Sequence, residues 1–180
     1  PRSTPLYSSA ASDVYKRQIY NNSFNVDLNI IRPFNIYGPG MQQNDYRVLP
    51  NFASNIKSNL PLNIYGSGNQ TRTYCYITDA IVGFLKVILS GISGEAYNIG
   101  NSKPEVSVTE LFEIIKKILP NNVQRLKVDY PKTYPTDEPQ RRCPDISKAQ
   151  NQLNFIPTVG IEDGLKRFLT WTNLNYKEEK

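Results

Sequence analysis

Between Pro33 and Gly38-Pro39-Gly40 stand Phe34, Asn35 and Tyr37, side chains able to stack and to hydrogen-bond. An amide both donates and accepts, and an aromatic ring offers a flat face, so such residues suit recognition of a small molecule. They come directly after the apolar pair Ile30-Ile31, which reads as the end of a strand covered on both faces, as in a parallel α/β sheet. Ligands of open α/β sheets sit outside the carboxyl ends of the strands. This stretch is therefore where a ligand would be met, although the same letters also describe a buried strand with a proline–glycine stop. Arg47 precedes an apolar-periodic run and either reaches a phosphate or is an exposed cation at a helix start. Gly66 and Gly68 have no Lys after them and no Rossmann spacing, so they read as turn glycines rather than a phosphate cradle. The chain has no histidine, which removes the commonest metal ligand and the Ser/His and Cys/His mechanisms. Cys75 and Cys143 are far apart and form neither a metal pattern nor a disulfide framework. A reducing cytoplasm is the expected compartment.

Positioning these residues falls to a series of short elements. Val26 to Arg32 is a strand. Arg47 opens a helix with Val48, Leu49, Phe52 and Ile56 at helical spacing, and Pro50 is tolerated in its first turn. Pro61 to Tyr65 is a short strand, Gly66 to Asn69 a turn, and Gln70 to Ile77 a further strand. Thr78 or Asp79 caps the next helix, whose Ile81, Phe84, Leu85, Ile88 and Leu89 form a core-facing stripe, and Gly91 ends it. Glu95 to Ile99 is a strand. Ser107-Val108-Thr109-Glu110 is a capping box flanked by the Val106/Leu111 staple, and Leu111, Ile114, Ile115, Ile118 and Leu119 give the buried face of that helix. Val128 to Pro135 is a tyrosine- and proline-rich connection. Asp145 caps a helix beginning at Ile146. Gly160 starts the last helix, with Ile161, Leu165, Phe168 and Leu169 on one face, and Asn173 to Lys180 reads as a polar, fraying tail.

A chain of 180 residues holds one domain with a real core. Its net charge of +5 comes from scattered residues, without the concentrated patch that nucleic-acid binding needs. No run approaches the roughly 20 apolar residues of a membrane span. Pro1 to Gln18 looks foreign: Ser8-Ser9-Ala10-Ala11-Ser12-Asp13-Val14-Tyr15-Lys16-Arg17-Gln18 resembles a translated sequencing-adapter read-through. Without that segment 18 basic and 15 acidic residues remain, or +3.

Three separated stretches carry a family resemblance. They are Arg32-Pro33-Phe34-Asn35-Ile36-Tyr37-Gly38-Pro39, then Ile64-Tyr65-Gly66-Ser67-Gly68-Asn69-Gln70-Thr71-Arg72 through Asp79, then Pro139-Gln140-Arg141-Arg142-Cys143-Pro144-Asp145. In this order they resemble the NAD-dependent epimerase/dehydratase family, the extended short-chain dehydrogenases. The resemblance runs from about Ile19 to about Trp171 and covers what in such enzymes is the back half. It implies an α/β fold: the C-terminal part of an extended Rossmann-type dehydrogenase fold, with the last parallel strands plus a small mixed α/β substrate domain. Residues 19–40 would end the NAD-binding domain. Residues 41–175 would be mainly the nucleotide-sugar domain, with about 95–100 returning to the main sheet, and residues 176–180 a tail.

The resemblance also implies roles. Phe34 would lie against the nicotinamide end of the cofactor NAD. Asn35 would hydrogen-bond the substrate near its diphosphate, and Ile64 and Tyr65 would border the nucleotide base. Arg72 and Arg142 would grip the diphosphate, with Arg141 second to Arg142. A guanidinium suits that task because its fork matches phosphate oxygens and it keeps its charge. Arg47 is the further phosphate candidate. The family's catalytic Tyr-x-x-x-Lys is expected near position 6, but Tyr7 is followed four residues on by Ala11, and Tyr15 by Ile19. No catalytic residue is therefore assigned, and this chain alone is expected to be inactive. The implied substrate is a UDP- or dTDP-sugar, oxidised transiently at sugar C4, and the implied assembly of the intact relative is a homodimer. The nearest resemblance is to UDP-glucuronate decarboxylases, with UDP-glucose 4-epimerase or dTDP-glucose 4,6-dehydratase types as alternatives, and a non-catalytic nucleotide-sugar binder as another.

Overall fold

The structure is a computed structural model, and it describes residues 19, 23–24, 27–43, 45–119, 123–130 and 139–178. The expected foreign segment, Tyr7, Tyr15, Val26, Asn44 and most of the connection after Val128 lie outside the described residues.

The first strands among the described residues are β1 (Ile30–Pro33) and β2 (Ile36–Tyr37), and α1 (Val48–Lys57) follows them. Next come β3 (Leu62–Tyr65), β4 (Thr71–Arg72), β5 (Cys75–Tyr76) and α2 (Ile77–Ser90). After these stand β6 (Ala96–Ile99), β7 (Val106–Ser107), α3 (Val108–Ile118) and β8 (Arg125–Val128). β9 (Arg141–Arg142), α4 (Ser147–Leu153) and α5 (Ile161–Asn175) complete it. β1 pairs with β6 in parallel, β2 with β5, and β3 with β8, also in parallel. β4 is the centre of a three-stranded sheet, antiparallel to β7 and parallel to β9. Parallel pairs need covered crossovers, so this is an α/β architecture.

Two apolar clusters hold it. The larger gathers Tyr37, Phe52, Leu62, Leu111, Ile115, Leu165 and Phe168 from α1, α3, α5 and the short strands. The smaller packs Val87, Tyr97, Ile99, Ala149, Leu153 and Phe155, joining α2 and α4 to β6. The capping box at α3 is present as expected: the Ser107 hydroxyl accepts from the Glu110 amide, and the Glu110 carboxylate accepts from the Ser107 amide. These bonds lower the Glu110 pKa, the backbone bond from Ser107 most of all.

Several expectations are corrected. The single strand expected over Gln70 to Ile77 is two, β4 and β5, which join different sheets, and Ile77 is already helical. α2 has no side-chain cap from Thr78 or Asp79. The Asp79 carboxylate instead accepts from the amides of Thr158 and Val159 and from the Thr158 hydroxyl, tying α2 to the segment before α5. Gly91 does end α2, but at φ −67, outside the left-handed region. The stripe Ile81, Leu85, Ile88 and Leu89 faces outward, and the packed face is Ala80, Gly83 and Val87 with Phe84 beside them. Asp145 is not the N-cap of α4: the helix begins one residue later than expected, at Ser147, with buried Ile146 as its N-cap residue, and Asp145 before it accepts from the Ser147 amide. The expected tail is held down as far as Lys177: Tyr176 is buried and its hydroxyl donates to Met41 O, and the Lys177 amide donates to Gln43 Oε1.

Candidate functional site

β4 and β9 lie side by side in a register that pairs Thr71 with Arg141 and Arg72 with Arg142. Side chains alternate across a strand, so Arg72 and Arg142 share one face. That face lines a cavity of about 260 Å³. Five of the seven residues expected at the site line it: Asn35, Arg47, Tyr65, Arg72 and Arg142. Segments separated by up to 107 residues thus meet at one place.

Asn35 sits at φ 47, a left-handed conformation that asparagine tolerates better than most residues. The bend directs its amide across to β9, where Nδ2 donates to Arg142 O at 3.2 Å. Its own carbonyl accepts from the Cys75 amide at 3.1 Å. Asn35 therefore ties the end of β1 to both β5 and β9. Arg72 bends over its own strand, Nη1 donating to Thr71 O at 2.8 Å and to Gln140 O at 3.2 Å. Its charge partly offsets the burial that pushes the Tyr74 phenol pKa up.

Arg47 is the N-cap residue of α1 and forks onto Asp45 through Nε and Nη2. That side-chain bond holds the Asp45 carboxyl below its usual range and raises the Arg47 pKa. Arg47 thus stands at a helix start and lines the cavity with its guanidinium turned to a carboxylate.

Phe34 and Ile64 are not among the cavity-lining residues. Ile64 is buried in the larger core, while Asn63 and Tyr65, on the opposite face of β3, line the cavity. Period-two alternation through Tyr65 was the signal that could have found Asn63. Gln70 and Tyr46 also line the cavity without having been expected there, and Tyr46 stands 82% exposed. Phe34 is half-buried at the carboxyl end of β1, its amide donating to Ile99 O. Glycine is needed beside it, because a Cβ at Gly100 would lie 2.9 Å from Phe34 Cβ and 3.2 Å from Pro144 Cγ.

Gly66 and Gly68 have positive φ, and their missing Cβ positions are filled by Tyr130 and by Thr109 and Ile64. They are packed turn glycines and leave no cradle for a phosphate. Among the described residues, Gly66 and Gly68 thus offer no room for a pyrophosphate.

Two guanidiniums in register, groups whose fork suits anionic oxygens, line the cavity together with the Asn35 amide and Tyr65, whose ring stacks on that of Tyr130 with centroids 6.1 Å apart. The model of the NAD dependent epimerase/dehydratase family matches residues 14–100. UDP-glucuronic acid decarboxylase 1 of Arabidopsis thaliana is 36% identical over 152 residues, 84% of this chain and 33% of that protein. The human dTDP-D-glucose 4,6-dehydratase is 34% identical over 180 residues, 98% of this chain and 50% of that protein.

The chain belongs to the NAD-dependent epimerase/dehydratase family.

The crystal structure of UDP-glucuronic acid 4-epimerase from Bacillus cereus, in complex with UDP-glucuronic acid and NAD, superposes with a TM-score of 0.81 at 28% identity. That match covers 93% of this chain and 51% of the epimerase. The chain thus spans between a third and a half of the length of the two curated relatives. The α/β architecture expected of this epimerase/dehydratase chain is the one found, and NAD, the expected cofactor, is the one that the family's name and the Bacillus complex carry. Among the described residues no helix is long and apolar enough to cross a membrane.

Proposed function

We propose that this chain belongs to an NAD-dependent enzyme that modifies nucleotide sugars through transient oxidation at sugar C4, most like a UDP-glucuronate decarboxylase. One observation carries the reading: Arg72 and Arg142 pair in register on the wall of one cavity, and Asn35 is bonded to the strand that holds Arg142. The two guanidiniums match the charge of one diphosphate. Met41, Val48 and Leu49 keep part of the wall apolar, and charges act more strongly where water is excluded. Tyr65 and Asn63 border the base. Arg47 exchanges its Asp45 partner for a phosphate oxygen or stays paired at the mouth. This clamp would supply remote binding energy that orients the sugar for chemistry elsewhere in the site. Phe34 would lie at the nicotinamide end of NAD. The chemistry supplied by NAD when bound is reversible hydride acceptance from sugar C4.

The step after C4 oxidation distinguishes decarboxylation, epimerisation and dehydration. The Arabidopsis decarboxylases favour the first, and the human dehydratase and the Bacillus epimerase keep the other two as alternatives. Without a Tyr-x-x-x-Lys at the expected position, the chain by itself would bind without turnover.

Calorimetry with UDP tests the clamp. The chain should bind UDP, and Arg72→Ala or Arg142→Ala should each weaken binding about tenfold or more, as expected for loss of a charged hydrogen-bond donor. No heat at millimolar UDP would overturn the reading. A preference for dTDP over UDP would move it toward the dehydratases.

A further inference from the structure

Glu105 stands just before β7 and is not among the cavity-lining residues. Its carboxylate accepts a fork from Arg141, Nε to Oε1 at 2.9 Å and Nη2 to Oε2 at 2.8 Å. It also accepts from the Thr71 hydroxyl. Thr71 and Arg141 are register partners, and Glu105 bridges their side chains. The next residues on each strand, Arg72 and Arg142, are also partners, and their side chains line the cavity.

β9 is only two residues long, and both are arginine. Nothing in their chemistry says which of them faces the cavity. A slip of one residue exchanges the faces of a strand, and here it would bring Arg141 to the cavity and turn Arg142 out. The described backbone bonds that flank the pair are Thr71 N to Gln140 O at 2.8 Å and Thr73 N to Arg142 O at 3.4 Å, the second a long one. Such a strand needs a side-chain device to fix its register.

We propose that Glu105 is a positioning residue: by holding Arg141 and Thr71 together outside the cavity, it locks the register of β9 and so presents Arg142 beside Arg72. This rests on the reading of Arg72 and Arg142 as the diphosphate clamp. Asn35 braces the same strand through Arg142 O. The pair contributes little to global stability, because the Arg141 side chain is 66% exposed and exposed ion pairs are weak. Its fork geometry nevertheless fixes direction. The signature of a register lock is therefore a large change in ligand binding with little change in melting, whereas a brace of the fold would show the reverse.

The experiment uses the whole 180-residue chain, with UDP as the calorimetric probe and hydrogen exchange at the Thr71 and Thr73 amides as a second readout. Glu105→Gln should weaken UDP binding about tenfold while shifting the melting temperature by no more than about 2 °C. Both amides should exchange faster. The charge-swapped double variant, Glu105→Arg with Arg141→Glu, should recover most of the affinity, which loss of mere structure would not allow. If the unmodified chain binds UDP and Glu105→Gln binds equally well with unchanged exchange, the proposal is overturned. If the unmodified chain gives no heat with UDP, the clamp reading falls, and exchange at the two amides decides the register lock alone. Faster exchange in Glu105→Gln then supports it and unchanged exchange ends it.

Discussion

Cys75 lies behind the candidate site with no exposed surface, its amide bonded to Asn35 O and its side chain among buried neighbours. Burial, with the Asp79 carboxylate adding to it, pushes the thiol pKa up to about 12. The thiolate is the reactive form, so Cys75 should stay unlabelled by a disulfide-exchange reagent at pH 8 until the chain is unfolded. Labelling of Cys75 in the native chain at the rate of a free thiol would contradict this. The same shift sets a pH dependence. An unfolded thiol titrates near about 8.5, below the folded value, so the stabilising effect of the neutral thiol is complete below that pH. It is lost as pH rises toward the folded value. Melting temperature should fall above about pH 9, and Cys75→Ala should flatten the fall. At this scale the candidate arginines were legible through resemblance, since a guanidinium alone says only that an anion is welcome. Asn63 was open to period-two reasoning and was missed. The part of Glu105 was not legible, because it depends on a register between segments more than 30 residues apart.

Among the elements, α2 shows where periodicity stops being sufficient. Its residues Ile81-Val82-Gly83-Phe84-Leu85 and Val87-Ile88-Leu89 are apolar around most of the circumference, so two stripes fit one pattern. The larger side chains look like the core face, but the helix packs through its small ones. A Cβ at Gly83 would lie 2.6 Å from Ile99 Cγ2 and 2.8 Å from Phe155 Cε2. Both neighbours are essentially fully buried and have little room to move. Gly83→Ala should therefore destabilise the chain. The gain in helix propensity is about 1 kcal/mol, and overpacking costs about 1–3 kcal/mol. A lower urea midpoint with unchanged slope is the expected result, and a raised midpoint would mean that the helix can shift away from β6. β8 was invisible in sequence for a related reason. Leu126 is half-exposed and Arg125 and Lys127 are exposed, so the strand offers no clear apolar face and is held to β3 by backbone pairing. The capping box of α3 was legible because its partners are three residues apart and need no tertiary context.

For the whole molecule, the outward stripe of α2 is the unsettled surface. Ile81, Val82 and Leu85 are about half-exposed, and Ile88 and Leu89 are 69% and 80% exposed. β1 pairs with β6 on one side, and no other described strand lies against it. A contiguous apolar helix face near an open parallel edge drives association. Each residue alone would mean little, since scattered apolar exposure is ordinary, but here five lie within about two and a half turns of one helix. The isolated chain should therefore bind a hydrophobic dye in its native state and show a sedimentation coefficient that rises with concentration. Replacing Ile88 and Leu89 by lysine should suppress both effects. Neither side chain is in the packed cluster, so the melting free energy should change by no more than about 0.5 kcal/mol for each. A wild-type chain that melts cooperatively, binds no dye and stays monomeric at every concentration would show that this face is already satisfied within the chain. If the lysine variant instead loses stability along with dye binding, the stripe is part of the core, as its periodicity first indicated.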